Sequence, residues 1–166
     1  MTFEYTPQPS VTQEALMIVF DLDGTLANCE ARVNKHLLDA DGNKREKPDW
    51  DAFFLDCSYD LPIIPTLAVL EAMHESGHQV WIWTGRSDIA KEQTEEWLLM
   101  HGVSPDIIFN RLKMRQADDR RNDDEVKPVW IEECGMPDIV FEDRNRVVKA
   151  WREKGILTYH VADADF

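Results

Sequence analysis

Apolar residues along this chain fall into short blocks with two different spacings. Leu16 to Phe20 is an unbroken apolar run, too short for a helix and rich in β-formers, which predicts a strand buried on both faces. Residues 27–64 are irregular. Asp41-Gly42-Asn43 predicts a turn, Lys44 to Pro48 a solvated loop, and Asp49 to Leu55 a short helix, together a small cap-like insert. From Pro65 the two spacings alternate cleanly. Leu67, Leu70, Glu71 and His74 predict a helix that opens at a proline and ends at Gly77. Gln79 to Trp83 predicts a second strand, and Ser87 caps a helix running to about His101. Asp106 to Phe109 predicts a short third strand. Asn122, with Glu125 three residues later, opens a helix striped by Val126, Val129, Trp130 and Cys134 and stopped by Gly135 and Pro137. Asp138 to Phe141 predicts a fourth strand, Arg144 to Lys154 a helix, and Ile156 to Val161 a fifth strand. Residues 1–13, with Pro7, Pro9 and Ser10, predict a loose leader.

Strand–helix alternation implies an α/β fold: a Rossmann-like parallel sheet with helices on both faces, interrupted by the insert after the first strand. The 166 residues are long enough for a substantial core and predict one domain. The net charge of −14 argues against a protein that coats nucleic acid, though not against one that touches a few phosphates locally. Cys29, Cys57 and Cys134 are widely spaced and odd in number, which predicts reduced thiols rather than a zinc site or disulfide framework. No apolar run is long enough to span a membrane and no signal peptide is recognisable, so the expectation is a soluble cytoplasmic protein without a membrane partner.

In an open parallel sheet, ligands gather beyond the carboxyl ends of the strands. Three strands end there in reactive side chains: Asp21 and Asp23 after the first, Thr84-Gly85-Arg86 after the second, Glu142-Asp143 after the fourth. Two aspartates one residue apart repel unless a cation or shared proton relieves them, and Mg²⁺ is the natural occupant. Gly24 lets the backbone turn sharply beside them. The functional reading is metal-assisted phosphoryl transfer with Asp21 attacking phosphorus. Each further element has a plainer alternative. Thr84 to Ser87 either seats a phosphate at a helix N-terminus, with Arg86 as a clamp, or merely caps that helix. Lys127 either neutralises charge at the site or pairs with Asp123 one helical turn away. Glu142 and Asp143 either hold metal or cap the helix that follows.

Taken together, these motifs resemble the haloacid dehalogenase superfamily of phosphatases: Asp21-Leu22-Asp23-Gly24-Thr25, then Thr84, Lys127 and Glu142-Asp143 in the required order. Residues 120–127 and 142–152 are more closely similar to the 3′-phosphatase domain of bacteriophage polynucleotide kinase, and Arg32, Arg86, Arg115 and Asp123 fall where that domain has further active-site residues. The resemblance implies that Asp21 forms an aspartyl-phosphate while Asp23 serves as acid and then base, with a raised pKa. It also implies that Thr84 and Lys127 stabilise the transferring group. Gly24, Thr25, Arg32, Gly85, Arg86, Arg115 and Asp123 would bind substrate. Mg²⁺ would sit on Asp21, Asp143, Glu142 and the backbone carbonyl of Asp23. Glu142 stands where that family usually has Asp. No Gly-x-x-x-x-Gly-Lys-Ser/Thr loop is present, so no kinase domain is expected in this chain.

The substrate implied is a phosphate monoester, either a DNA or RNA 3′ end or a nucleotide. Arg111, Lys113, Arg115, Arg120 and Arg121 either bind phosphates beside a 3′ terminus or pair with Asp118, Asp119 and Asp123. Trp50 and Phe53, in the insert, are the candidates for substrate contact; Trp81, Trp83, Trp97, Trp130 and Trp151 fall at core positions. None of the five histidines has metal-ligand spacing with another. The sequence leaves oligomeric state open.

Overall fold

The computed structural model describes residues 14–164, so the leader expected at 1–13 lies outside the described residues. Strand β1 (Met17–Phe20) is buried along its whole length, as its continuous apolar run requires. It lies at the centre of a five-stranded parallel sheet. On one side come β4 (Gln79–Ser87) and β5 (Leu112–Arg115), on the other β6 (Ile139–Arg144) and β7 (Leu157–Ala164). Ile18 pairs with Val80 on one side and Ile139 on the other. The chain builds outward from β1 through β4 to β5 and then crosses to β6. The direction therefore switches beside β1, the position where open sheets bind ligands.

Alternate side chains of β1 enter opposite cores. Ile18 and Phe20 pack with Leu70, Trp97 and Ile107 beneath α3 (Ile64–Glu75), α4 (Lys91–Met100) and α5 (Pro105–Asn110). Met17 and Val19 pack with Trp83, Trp130 and Trp151 beneath α6 (Asp123–Val126), α7 (Trp130–Cys134) and α8 (Asn145–Glu153). The insert is pinned at its neck by an antiparallel two-residue ribbon, β2 (Ala27–Asn28) with β3 (Leu61–Pro62). It opens with the single turn α1 (Glu30–Arg32) and has its own small core of Cys29, Val33, Leu37 and Phe53, the last from α2 (Trp50–Leu55). Among the described residues, no helix is long and apolar enough to cross a membrane.

Three sequence expectations are corrected. Residues 106–109 are helical, within α5, and the edge strand lies further on, at β5. The helix signals were present: the Ser104 hydroxyl accepts the Asp106 N–H at 3.3 Å, and Pro105 occupies the first turn. A short apolar run does not reveal its period, and Ile107 and Ile108 are buried in either conformation. The helix expected from Asn122 to Cys134 is broken into α6, a 3-10 turn at Lys127–Val129 and α7. Pro128 has no N–H for the ladder, and its ring collides with the preceding turn. Finally, β4 continues through Ser87, and α4 begins only after a 3-10 turn at Asp88–Ala90.

Candidate active site

The β1 strand delivers Asp21 to the carboxyl edge, where its N–H still donates to the Phe141 carbonyl at 2.9 Å and so extends the ladder with β6. The chain then folds tightly back. Leu26 and Ala27 N–H groups both donate to the Leu22 carbonyl at 2.9 Å. Gly24 has φ +88°, and a Cβ there would lie 1.9 Å from Asp143 Oδ2. Glycine is required twice over, for conformation and for the approach of Asp143. The strands flanking β1 both lose regular pairing at this edge: β4 between Thr84 and Ser87, β6 between Glu142 and Arg144. Such irregularities re-aim side chains, here Arg86 and Asp143.

Asp21, Glu142 and Asp143 each offer a carboxylate oxygen within 4.8 Å of the others, and all three are buried. The Lys127 ammonium donates to Asp21 Oδ1 at 2.6 Å and to Glu142 Oε2 at 2.7 Å. Burial alone would lower the lysine pKa, but the two carboxylates outweigh it and hold the pKa above its ordinary value. Of the two alternatives for Lys127, the structure has it between Asp21 and Glu142 and not paired with Asp123. Burial, reinforced by Glu142 and opposed by Lys127, pushes Asp21 up to about 7. Burial, with Asp21 and Glu142, pushes Asp143 up to about 9. Neither oxygen of Asp143 has a hydrogen-bond partner, although the residue is 0% exposed. Two orphaned oxygens beside two further carboxylates fit a hard divalent cation, and Mg²⁺ has the oxygen preference such a site satisfies. Glu142 is differently placed, since its oxygens already accept from Lys127 and, at 3.3 Å, from the Arg144 N–H.

Asp23 lies in a separate network. Arg32 and Arg86 both donate to its Oδ1, and Arg86 Nε reaches Oδ2 at 3.3 Å. The same guanidiniums hold Asp60: Arg32 Nε donates to its two oxygens at 2.8 and 2.9 Å, and Arg86 Nη2 lies 3.4 Å away. Arg32 also lies 4.3 Å over the Phe53 ring, and Trp97 Nε1 fixes the Asp60 carbonyl at 2.8 Å. Burial would raise the Asp23 pKa, but Arg32 and Arg86 overcome it and hold the carboxyl well below the usual range. The expected raised pKa of Asp23 is thus corrected: its nearest charges are guanidiniums, not other acids. Arg32 and Arg86 are likewise not free phosphate clamps; both are buried and paired. Asp60 was missed. No spacing marks it, and the one signal was two arginines in search of a second acid.

Asp123 is the hub of a third group. It accepts from Arg115 and, at 2.7 Å, from Arg144. Its carboxylate fills the space over Gly85, where a Cβ would lie 2.2 Å from Asp123 Oδ1. Arg144 was also missed, its position in the sequence reading as an ordinary helix start. Thr84 is buried, and its hydroxyl accepts the Arg86 N–H at 3.1 Å. With β4 continuing through Ser87, residues 84–87 form a strand end and not a helix N-terminus, and Ser87 caps only the 3-10 turn that follows, accepting the Ile89 N–H at 3.4 Å.

From these groups Asp21, Asp23, Arg86, Asp123 and Arg144 line a cavity of about 360 Å³. Asp21 and Thr84 line it from the sheet edge, Trp50 and Phe54 from the insert, and Arg120 and Arg121 from the segment before α6. Gly24, Thr25, Arg32, Lys127, Glu142 and Asp143 do not line it; Thr25 is fully buried, and the last three lie buried behind Asp21. Phe53 lines it but is only 1% exposed, because it forms the core of the insert. Much of the expected basic cluster is paired: Arg111 with Asp106, Lys113 with Glu133, Arg121 with Asp119.

Comparison with known proteins places the fold and the family. A chain of the Pnkp1/Rnl/Hen1 RNA repair complex is 25% identical, with a TM-score of 0.69. The match covers 98% of this chain and 47% of that one, so this chain spans about half the length of the repair protein. A class C acid phosphatase from Bacillus anthracis shares the fold at 14% identity and TM-score 0.63, over 93% of this chain and 70% of that one. A haloacid dehalogenase-like family hydrolase from Streptococcus pneumoniae does so at 15% and 0.56, over 88% and 84%. The polynucleotide kinase PNKP phosphatase domain model matches residues 15–166, and the chain belongs to that family of phosphatase domains.

Proposed function

We propose that this protein is a Mg²⁺-dependent phosphatase that removes 3′-phosphates from polynucleotide ends through an aspartyl-phosphate on Asp21. The observation that carries the reading is the buried trio Asp21, Glu142 and Asp143, with both oxygens of Asp143 unpartnered and Asp21 lining a cavity. Asp21, Asp143 and the Asp23 backbone carbonyl would hold Mg²⁺, with Glu142 close by and engaged mainly with Lys127. When bound, the ion supplies positive charge that returns the two raised aspartates to their ionised forms and offsets charge on the phosphoryl oxygens.

In the first half-reaction an Asp21 oxygen attacks phosphorus and the bond to the 3′ oxygen breaks, leaving a 3′-hydroxyl. Lys127, 2.6 Å from Asp21, neutralises charge on the attacking group, and Thr84 lines the pocket for the transferring oxygens. In the second half-reaction Asp23 takes a proton from the water that attacks the aspartyl-phosphate, releasing inorganic phosphate and restoring Asp21. Arg32 and Arg86 keep Asp23 ionised at rest, so it can accept this proton, but they also weaken it as a base until bound phosphate offsets their charge. To protonate the leaving oxygen, Asp23 must first take up a proton as the anionic substrate enters and offsets the guanidiniums.

A cavity of this size also fits a free nucleotide, which keeps a small-ester phosphatase as the second reading. The test compares 3′-phosphorylated DNA and RNA oligonucleotides with nucleoside 3′- and 5′-monophosphates. We expect preference for the oligonucleotides, dependence on Mg²⁺, and complete loss in a folded Asp21→Asn protein. Preference for 5′-monophosphates overturns the polynucleotide reading. Turnover by Asp21→Asn overturns the nucleophile, and no Mg²⁺-dependent hydrolysis of any ester, including an aryl phosphate, would indicate a binding protein of the same fold.

A further inference from the structure

Trp50 differs from the tryptophans of the sheet cores. Trp83, Trp97 and Trp151 are essentially inaccessible, whereas Trp50 is 39% exposed and lines the cavity that holds Asp21. It is the first residue of α2, fixed in place by the Asp49 cap, whose carboxylate accepts the Ala52 N–H at 3.0 Å. Phe54 stacks near the indole at 6.0 Å and 29°, and Phe53 meets it edge-on at 5.7 Å. The ring is therefore braced by two phenyl groups while part of its surface remains open. A solvated insert does not need a braced, exposed indole for its own stability.

Lys44 and Arg120 line the same cavity. Both are exposed, and neither has an ion-pair partner among the described residues, in a chain of net charge −14. An open aromatic face, two uncommitted cations and a phosphoryl-transfer centre on one cavity match three parts of one ligand. These are an unpaired nucleobase, the phosphates that precede it, and its 3′-phosphate.

We infer that Trp50 is the stacking platform for the terminal base of a single-stranded, 3′-phosphorylated polynucleotide, with Lys44 and Arg120 on the adjoining backbone phosphates. This rests on the polynucleotide reading above and adds strand specificity to it. A base within a duplex end is already paired and stacked, and cannot offer its face to Trp50 without leaving the helix. Stacking ignores base identity and the 2′-hydroxyl, so DNA and RNA ends of any sequence should serve alike.

The test uses pairs of single-stranded 3′-phosphorylated oligonucleotides that differ only in whether the terminal residue carries a base or is abasic, in DNA and in RNA. The wild-type protein should show a KM lower for the base-bearing end by about 5- to 100-fold, the range a single base–aromatic stack provides. In Trp50→Ala that ratio should fall towards one, and in Trp50→Phe it should largely return. Blunt duplex ends should be poorer wild-type substrates than single strands. Unchanged thermal melts establish that the variants are folded. A ratio near one in the wild type, or a ratio that survives Trp50→Ala, overturns the platform while leaving 3′-end hydrolysis standing. Failure of the wild-type protein on every oligonucleotide overturns the polynucleotide reading and this inference with it.

Discussion

Replacing Asp143 by asparagine should make the metal-free protein more stable and the enzyme inactive. The reason is the unbalanced charge of the buried acids. Asp143 is fully buried, neither oxygen has a partner, and its pKa rises from 3.8 to about 9, chiefly through burial and then through Asp21 and Glu142. Below about pH 4 the carboxyl is protonated in both the folded and unfolded chains, and it does not bear on stability. Between about pH 4 and 9 the unfolded chain releases this proton and the folded chain keeps it. Stability therefore falls as pH rises, by up to about 1.4 kcal/mol per pH unit, or about 4 kcal/mol by pH 7. Asparagine removes that dependence, although its unpaired amide costs about 1–3 kcal/mol. The slope does not depend on that cost. In EDTA, the stability of Asp143→Asn relative to wild type should rise by about 2–3 kcal/mol between pH 5 and pH 7. For a chain of this size that is a relative shift in Tm of roughly 4–12 °C. With Mg²⁺ at 100 times its Kd, the wild-type protein should regain about 2.7 kcal/mol and the variant nothing. Urea or thermal melts across that pH range, with and without Mg²⁺, measure each quantity. A difference that stays flat with pH in EDTA would refute the assignment of Asp143 as the unneutralised member of the site.

Lys127→Met should leave Asp21 and Glu142 buried without their shared cation, costing roughly 3–5 kcal/mol in urea melts and abolishing turnover; a stability loss under 1 kcal/mol would show that the two acids do not depend on it. Asp60→Ala should cost a similar roughly 3–5 kcal/mol by stranding Arg32 and Arg86. Its kcat should fall although Asp60 lines no part of the cavity, and undiminished kcat would remove Asp60 as a positioning residue. Gly24→Ala should lose about 1–2 kcal/mol to backbone strain at φ +88° alone. It should also push Asp143 out of place, so that Mg²⁺ no longer raises the Tm; a normal Mg²⁺ response would contradict the close packing of Gly24 on Asp143.

The strands with continuous apolar runs were legible because burial on both faces leaves few alternatives to a central strand, and β1 and β6 lie where the pattern put them. The helix at Pro105–Asn110 was not, because four residues with two buried isoleucines suit either period, and the cap signal at Ser104 carries less weight than the run itself. The positions of Asp21, Asp143 and Lys127 at one sheet edge were accessible from strand ends and motif order. The partners of Arg32 and Arg86 were not. These arginines lie 28 and 26 residues from Asp60 along the chain, and that contact exists only once the insert has folded onto the sheet. Sequence shows which side chains carry charge; folding decides which of them answer one another.

That pairing divides the buried charges into two networks with different consequences. Asp23 and Asp60 face Arg32 and Arg86, two acids and two bases, so the network is neutral when fully ionised and needs nothing more. This is why Asp23 stays ionised despite its burial. Asp21, Glu142 and Asp143 face Lys127 alone, three acids and one base, which leaves two negative charges when fully ionised. Without a cation the network can relieve that excess only by holding protons, and the raised pKa values of Asp21 and Asp143 are that relief. A single divalent ion would supply the missing charge and the missing partners for Asp143 together. The two carboxylates of the Asp21-Leu22-Asp23 motif, one residue apart in sequence, thus belong to opposite electrostatic regimes. One is held ionised by arginines, and the other keeps a proton until a cation relieves it.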